Sequence, residues 1–126
     1  MKLQVALEDS FVEIGKLAGG DTVILIDRGL MDGSAYVTRT QWQCLMDDLG
    51  VSTVQIRDNR YDCVIHMVTA ADGAESFYQT EVNGEARYES VDEAKIKDEF
   101  LRQAYMGHQK WILIKNSDCK NFGEKI

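Results

Sequence analysis

Residues 22 to 29 read Thr-Val-Ile-Leu-Ile-Asp-Arg-Gly, a run of four branched apolar residues that stops at an acid and a base. A short continuous apolar run with polar bounds suits a strand buried on both faces of a parallel sheet, and open α/β sheets bind ligands outside the carboxyl ends of such strands. Asp27 and Arg28 fall at that end. There an acid can hold magnesium or draw a proton from an attacking hydroxyl, and an arginine can grip a phosphate with two parallel hydrogen bonds. The usual companion of such a pair is missing: no Gly-x-x-x-x-Gly-Lys-Ser/Thr word occurs in the chain, so the sequence carries no backbone cradle for the β- and γ-phosphates. Gly15-Lys16 is no substitute, because it sits in a helical pattern with Ser10 in the place of the first glycine and Leu17 in that of the Ser/Thr.

The 126 residues are 44% apolar, which suits one domain with a single core. A net charge of -7 argues against a general nucleic-acid surface, whose affinity comes from neutralised phosphates, and against adsorption to anionic membranes. Arg57 with Arg60 is the nearest approach to a local phosphate-binding pair. Cys44, Cys63 and Cys119 are an odd number without C-x-x-C spacing, and no apolar leader or membrane-length run is present, so a cytoplasmic setting is expected.

Along the chain, Leu3, Leu7, Phe11, Ile14 and Ala18 recur at helical spacing up to Gly19-Gly20. The Val23 to Ile26 strand follows, then a loop through Gly29, Asp32 and Gly33. Thr38 and Gln41 form a capping box ahead of a helix with Trp42, Leu45, Met46 and Leu49 on its buried stripe, closed by Gly50. Val54 to Tyr61 reads as an edge or lead-in segment and Cys63 to Val68 as a clearer strand. Thr69 to Glu89 is a long connection of the kind that forms lids, with a short helix near Ala74 to Gln79. Ser90 and Glu93 form a second capping box, for a helix carrying Ile96, Phe100, Leu101 and Ala104 to Gly107; Trp111 to Ile114 is the last strand. Alternating strands and helices imply an α/β domain with parallel crossovers.

Each candidate residue has two readings. Asp27-Arg28 is either a structural cap or ion pair, or a catalytic pair. Arg87 is either a solvated loop arginine or a lid arginine that reaches a phosphate. His66, inside an apolar strand and without zinc-spaced partners, is either a hydrogen-bonded structural residue, the reading favoured, or a catalytic or metal-binding one, and His108 fits a helix C-cap. Trp42 and Trp111 read as core. Asp47, Asp48, Asp92, Glu93, Asp98 and Glu99 fit solvated helix faces.

Three longer words occur in order: Ile-Asp-Arg-Gly-Leu-Met-Asp-Gly-Ser-Ala-Tyr (26 to 36), Arg-Asp-Asn-Arg-Tyr-Asp (57 to 62) and Val-Ile-His-Met-Val-Thr-Ala-Ala-Asp-Gly-Ala-Glu-Ser-Phe-Tyr (64 to 78). With Glu85 to Glu89, Gly107-His108 and Asn116-Ser117, they resemble the nucleotide-binding domain of the TRPL translocation defect family, a P-loop group related to the nicotinamide riboside kinase domain of NadR-type proteins. The resemblance implies a partial P-loop NTPase fold, three-layer α/β/α with a parallel sheet, spanning residues 1 to 126 and lacking the first strand and phosphate loop. That strand would lie between the ones at 23 to 26 and 63 to 68. A fragment without it is expected to be poorly stable alone.

The resemblance also implies a purine nucleotide, GTP or ATP with Mg2+, with GTP favoured. It makes Asp27 the metal-linked acid or general base, Arg28 a phosphate contact, Arg60 and Arg87 secondary phosphate or lid contacts, and Asn116 a base-side residue. Lys115 stands where relatives lead one to expect an acid. The parent function would be tied to membrane-protein trafficking, with phosphoinositide or trafficking-protein partners, a peripheral membrane location and a CYTH-like domain beyond this chain. Two rival readings accompany it: a non-catalytic trafficking adaptor, and a small-molecule kinase like the nicotinamide riboside enzymes.

Overall fold

The computed structural model describes residues 1–78 and 89–126. Helix α1 (Lys2–Ala18) opens the fold and α2 (Arg39–Leu49) follows a 3-10 stretch at Leu30–Tyr36. A single turn of π-helix at Val54–Asp58 leads to strand β1 (Val64–Met67), and α3 (Val91–Tyr105) carries the chain to strand β2 (Trp111–Ile114). A four-residue helix, α4 (Phe122–Lys125), ends it.

Both capping boxes form as their residues dictate. Thr38 Oγ1 accepts from Gln41 N at 3.3 Å while the Gln41 side chain accepts from Thr38 N at 2.9 Å, and Ser90 and Glu93 repeat the exchange at 3.2 and 2.8 Å. Gly50 closes α2 in the left-handed region, φ 63°, where a side chain is disfavoured and its N–H can return to Asp47 and Met46.

β1 and β2 pair in parallel, Val64 opposite Trp111 and Met67 opposite Ile114. The α/β class with a parallel sheet is therefore borne out, as a two-stranded sheet among the described residues. Leu30, Met31, Met46, Ile56 and Tyr105 form the principal core, with Val5, Trp42, Tyr61 and Trp111 partly buried against it. A smaller cluster joins Ala71, Tyr78 and Ala94.

Three expectations need correction. Val23 to Ile26 makes no strand: it has no ladder partner among the described residues, and its exposures of 84, 37, 91 and 40% alternate like those of an extended chain with one side slightly sheltered. An apolar run becomes a buried strand only when neighbours supply hydrogen bonds on its edges, and no described segment does. Helix α1 is present, but its apolar stripe is turned outward, with Leu3, Leu7, Phe11 and Ile14 all exposed. The helix is held instead through Val5 and the buried carboxylate of Glu8. Val54 to Asp58 is helical rather than an edge strand, because Ile56 turns into the core within one wide turn.

Candidate functional site

The carboxyl end of the apolar run is fixed by a pair of phenols. Tyr61 Oη accepts a hydrogen bond from Leu30 N at 2.8 Å and lies 3.3 Å from Glu8 Oε1, to which it donates. Tyr105 Oη donates to Asp32 Oδ2 at 2.7 Å. The two rings meet edge to face at 6.5 Å between centroids. Burial pushes the Tyr61 phenol up to about 12, with the Leu30 N–H opposing and Glu8 reinforcing the rise. Burial, and after it the charge of Asp32, raise the Tyr105 phenol further still. Both hydroxyls therefore keep their protons at neutral pH and act as hydrogen-bond donors to carboxylates.

Gly29 is what lets these hydroxyls close on the backbone. A Cβ there would lie 2.3 Å from Tyr105 Oη and 3.2 Å from Tyr61 Oη, so the position is filled by the phenols. Arg28, immediately before it, has φ 71°, a left-handed conformation unusual for a residue with a side chain. Its carbonyl accepts from Gln4 Nε2 at 2.8 Å, and its Nη1 lies 3.3 Å from Tyr36 Oη and 3.6 Å from Asp32 Oδ1. The guanidinium is thus steered but largely solvated. Asp27 is exposed and makes no hydrogen bond or ion pair among the described residues, which leaves its carboxylate free to take a cation or a hydroxyl proton.

Arg60 is anchored. Its Nε donates to Glu8 Oε2 at 2.5 Å, and its Nη2 to Asp9 Oδ1 at 2.9 Å and to Val5 O at 3.2 Å. Burial works against its charge, but the bonds to Glu8 and Asp9 outweigh that and leave its pKa above the ordinary value. Nη1 alone remains for a ligand. This ion-pair group ties α1 to the segment before β1, which is a structural duty the sequence reading did not assign to Arg60.

At the carboxyl ends of β1 and β2, Asn116 Nδ2 donates to Thr69 O at 2.7 Å and to Asp72 O at 2.6 Å. Its Oδ1 accepts from Lys125 Nζ at 2.6 Å. Lys125 is buried and also donates to Val68 O at 2.5 Å, so its ammonium group rests on carbonyl oxygens, with no carboxylate partner among the described residues. Asp27, Arg28, Arg60 and Asn116 all line one open cleft of about 2290 Å³ between the 23–28 segment and β1. Arg87 lies outside the described residues.

His66 holds the structural role expected of it: Nε2 meets Asp98 Oδ2 at 3.2 Å, and Asp98 Oδ1 takes Thr69 N–H at 3.0 Å. Asp98 is consequently not a solvated helix-face acid. The His108 backbone N–H reaches Tyr105 O at 3.1 Å at the end of α3, but its ring is spent elsewhere than on the cap expected of it. Its Nδ1 accepts from Lys110 N at 3.1 Å, which leaves Nε2 to donate to Tyr61 O at 2.8 Å and fixes the backbone beneath the Tyr61 phenol. Tyr61, Tyr105, Asp32 and Lys125 were not singled out from the sequence. Apart from the contact of Asp32 with Arg28, four residues back, their partners lie 9 to 73 residues away, and no local spacing announces them.

The fold is mixed α/β with a parallel strand pair, and its cleft is largely apolar, with Asp27, Arg28, Arg60 and Asn116 among the residues that line it. A family model described as an AAA domain matches residues 1–120, and the chain belongs to that family of P-loop NTPase-like domains. No curated protein and no solved structure matches the chain. Nucleotide-binding, NTPase-like function follows from the family. No described helix is long and apolar enough to cross a membrane.

Proposed function

We propose that this chain is a purine-nucleotide site of the P-loop NTPase type in which the phosphate cradle is not among residues 1–126, with GTP preferred over ATP. Asp27, Arg28, Arg60 and Asn116, 89 positions apart from first to last, line the same cleft, and that convergence carries the reading. Arg28 is the primary phosphate contact, its guanidinium only loosely held by Asp32 and Tyr36. Arg60 contributes its remaining Nη1. Arg87 is assigned the lid contact, and Asn116 with Lys125 the far, base-side end.

The donor set fits magnesium, which characteristically uses one or two carboxylates and completes its shell with water and phosphate oxygens. Asp27 is the residue that would hold it, directly or through water. When bound with the nucleotide, the ion neutralises charge on the phosphate oxygens. Asp27 otherwise accepts a proton from a hydroxyl or water near the phosphate. The link to membrane-protein trafficking and phosphoinositides rests on the resemblance to the TRPL translocation defect family alone.

Without a phosphate cradle the affinity is weak. In a titration of isotope-labelled protein with millimolar magnesium-GTP, amide shifts are expected at Asp27 to Gly29 and at Asn116, smaller with ATP, and lost on Arg28→Ala. Submicromolar affinity by calorimetry would refute the weak site, and unmoved amides at millimolar nucleotide would refute the site altogether.

A further inference from the structure

A second recess adjoins α3 and shares no lining residue with the nucleotide cleft. The 3-10 stretch and α3 present a different face to each: Asp32, Tyr36, Lys97 and Leu101 line the cleft, while Met31, Ala35, Phe100 and Ala104 line the recess. Trp42 of α2 contributes a further wall. The six-membered ring of its indole is pressed on Gly33, where a Cβ would come within 3.2 Å of Cζ3, so that aromatic wall is fixed before any ligand arrives. Phe100 is 51% exposed, and a ring left half in water gains from being covered.

The charge of this recess is unlike that of the chain. Against 21 acidic residues and a net charge of -7, no described Asp or Glu lines it, whereas Arg39 and Arg57 do. Arg57 is fully engaged: Nε and Nη2 donate to Asp58 at 2.6 and 2.9 Å, and Nη1 to Met106 O at 2.9 Å. Arg39 is exposed and has no hydrogen bond or ion pair among the described residues. Nor does its charge serve the helix. As the first residue of α2, with no acid in the first turn, its cation meets the positive end of the helix dipole. Arg39 and Trp42 are three apart and so neighbours on one helical face, which sets a free guanidinium beside a fixed indole. A guanidinium takes a carboxylate through two parallel hydrogen bonds, and the faces of Trp42 and Phe100 suit an aromatic ring. One free cation matches a monoanion, where a phosphate would bring a second charge without a partner. The volume of about 650 Å³ falls within the roughly 300–1,000 Å³ of small-molecule pockets.

We propose that the recess walled by α2, α3 and the 3-10 stretch binds a small aromatic carboxylic acid, its ring set against Trp42 and Phe100 and its carboxylate on Arg39. The site is independent of the nucleotide reading, since none of its residues lines the cleft and its ligand carries no phosphate.

The probe is naphthylacetate, with the uncharged naphthylacetamide of the same shape as its control, each titrated into the isotope-labelled 126-residue protein. The acid is expected to shift the Trp42 indole N–H and the Ala104 methyl resonances and to bind about tenfold tighter than the amide, the gain of a charge-assisted pair. In Arg39→Gln, a change at an exposed position to another good helix former, that ratio falls to near one. In Phe100→Ser both probes weaken alike. Equal affinity for acid and amide in the parent overturns the proposal, as does a ratio unchanged in Arg39→Gln or an affinity indifferent to Phe100→Ser. It is overturned equally if millimolar probe shifts nothing, or shifts only Asp27 to Gly29 in the cleft. Trp42 and Ala104 signals that move with protein concentration alone mean that a second copy fills the recess, and they overturn it too.

Discussion

Position 29 shows how one missing side chain positions a site. Gly29 has φ -76°, a conformation open to any residue, so its requirement is steric: the Tyr105 hydroxyl stands where a Cβ would be. Gly29→Ala is expected to cost about 1–3 kcal/mol, the range for overpacking a well-filled site. In Tyr105→Phe the obstructing oxygen is gone, so the alanine should cost less there; additive losses in urea denaturation of the double variant would refute the contact. Arg28 presents the opposite case. Its left-handed backbone costs on the order of 1–2 kcal/mol in a non-glycine residue, while an exposed ion pair such as that with Asp32 is worth about 0–1 kcal/mol. Arg28→Gly should therefore be as stable as the parent or slightly more so, and should lose the nucleotide-induced shifts. A clear fall in thermal midpoint would show that the arginine serves the fold. Strain retained at an exposed arginine, beside a free carboxylate, is the pattern expected where geometry serves binding.

Among the elements, the helix boundaries are the parts that local sequence determines. A capping box is closed by residues three apart, so Thr38-Gln41 and Ser90-Glu93 are legible in the sequence and form as read. Ser90→Ala is expected to lower stability by about 1 kcal/mol, with fraying of the first turn of α3 visible by amide exchange. If the variant matches the parent, the cap contributes nothing to the folded state. Strands β1 and β2 were legible from their apolar runs, but Val23 to Ile26 was not, because a strand is defined by partners and this run has none among the described residues. The same limit applies at the site. Asp27 and Arg28 were visible as the polar end of an apolar run. The Tyr61 and Tyr105 clamps and the Glu8-Arg60 ion pair join residues 31 to 73 positions apart, and sequence spacing carries no sign of such contacts. Asp98 was misread for the same reason: its partner His66 is 32 residues upstream.

For the whole molecule, the polar clamps couple stability to pH on the alkaline side. The described core is two small clusters, and apolar groups of α1, of the 23–26 run and of β1 stay in water, so the stability margin is expected to be narrow. Tyr61 titrates near 10.0 when unfolded and at about 12 in the fold, and Tyr105 is displaced in the same direction. A phenol whose pKa is raised by folding leaves stability unchanged well below 10, because it is protonated in both states. Between 10 and 12 the unfolded chain gives up protons that the folded chain still holds, so the free energy of unfolding falls with rising pH and levels off only above the folded values. Urea midpoints should be flat approaching pH 10 and drop steeply above it. Tyr105→Phe lowers the neutral plateau by removing the bond to Asp32, yet it should also make the alkaline drop shallower, since one of the two displaced phenols is gone. An alkaline limb of unchanged slope in that variant would assign the loss of stability to other groups and leave the phenol clamp a matter of geometry alone.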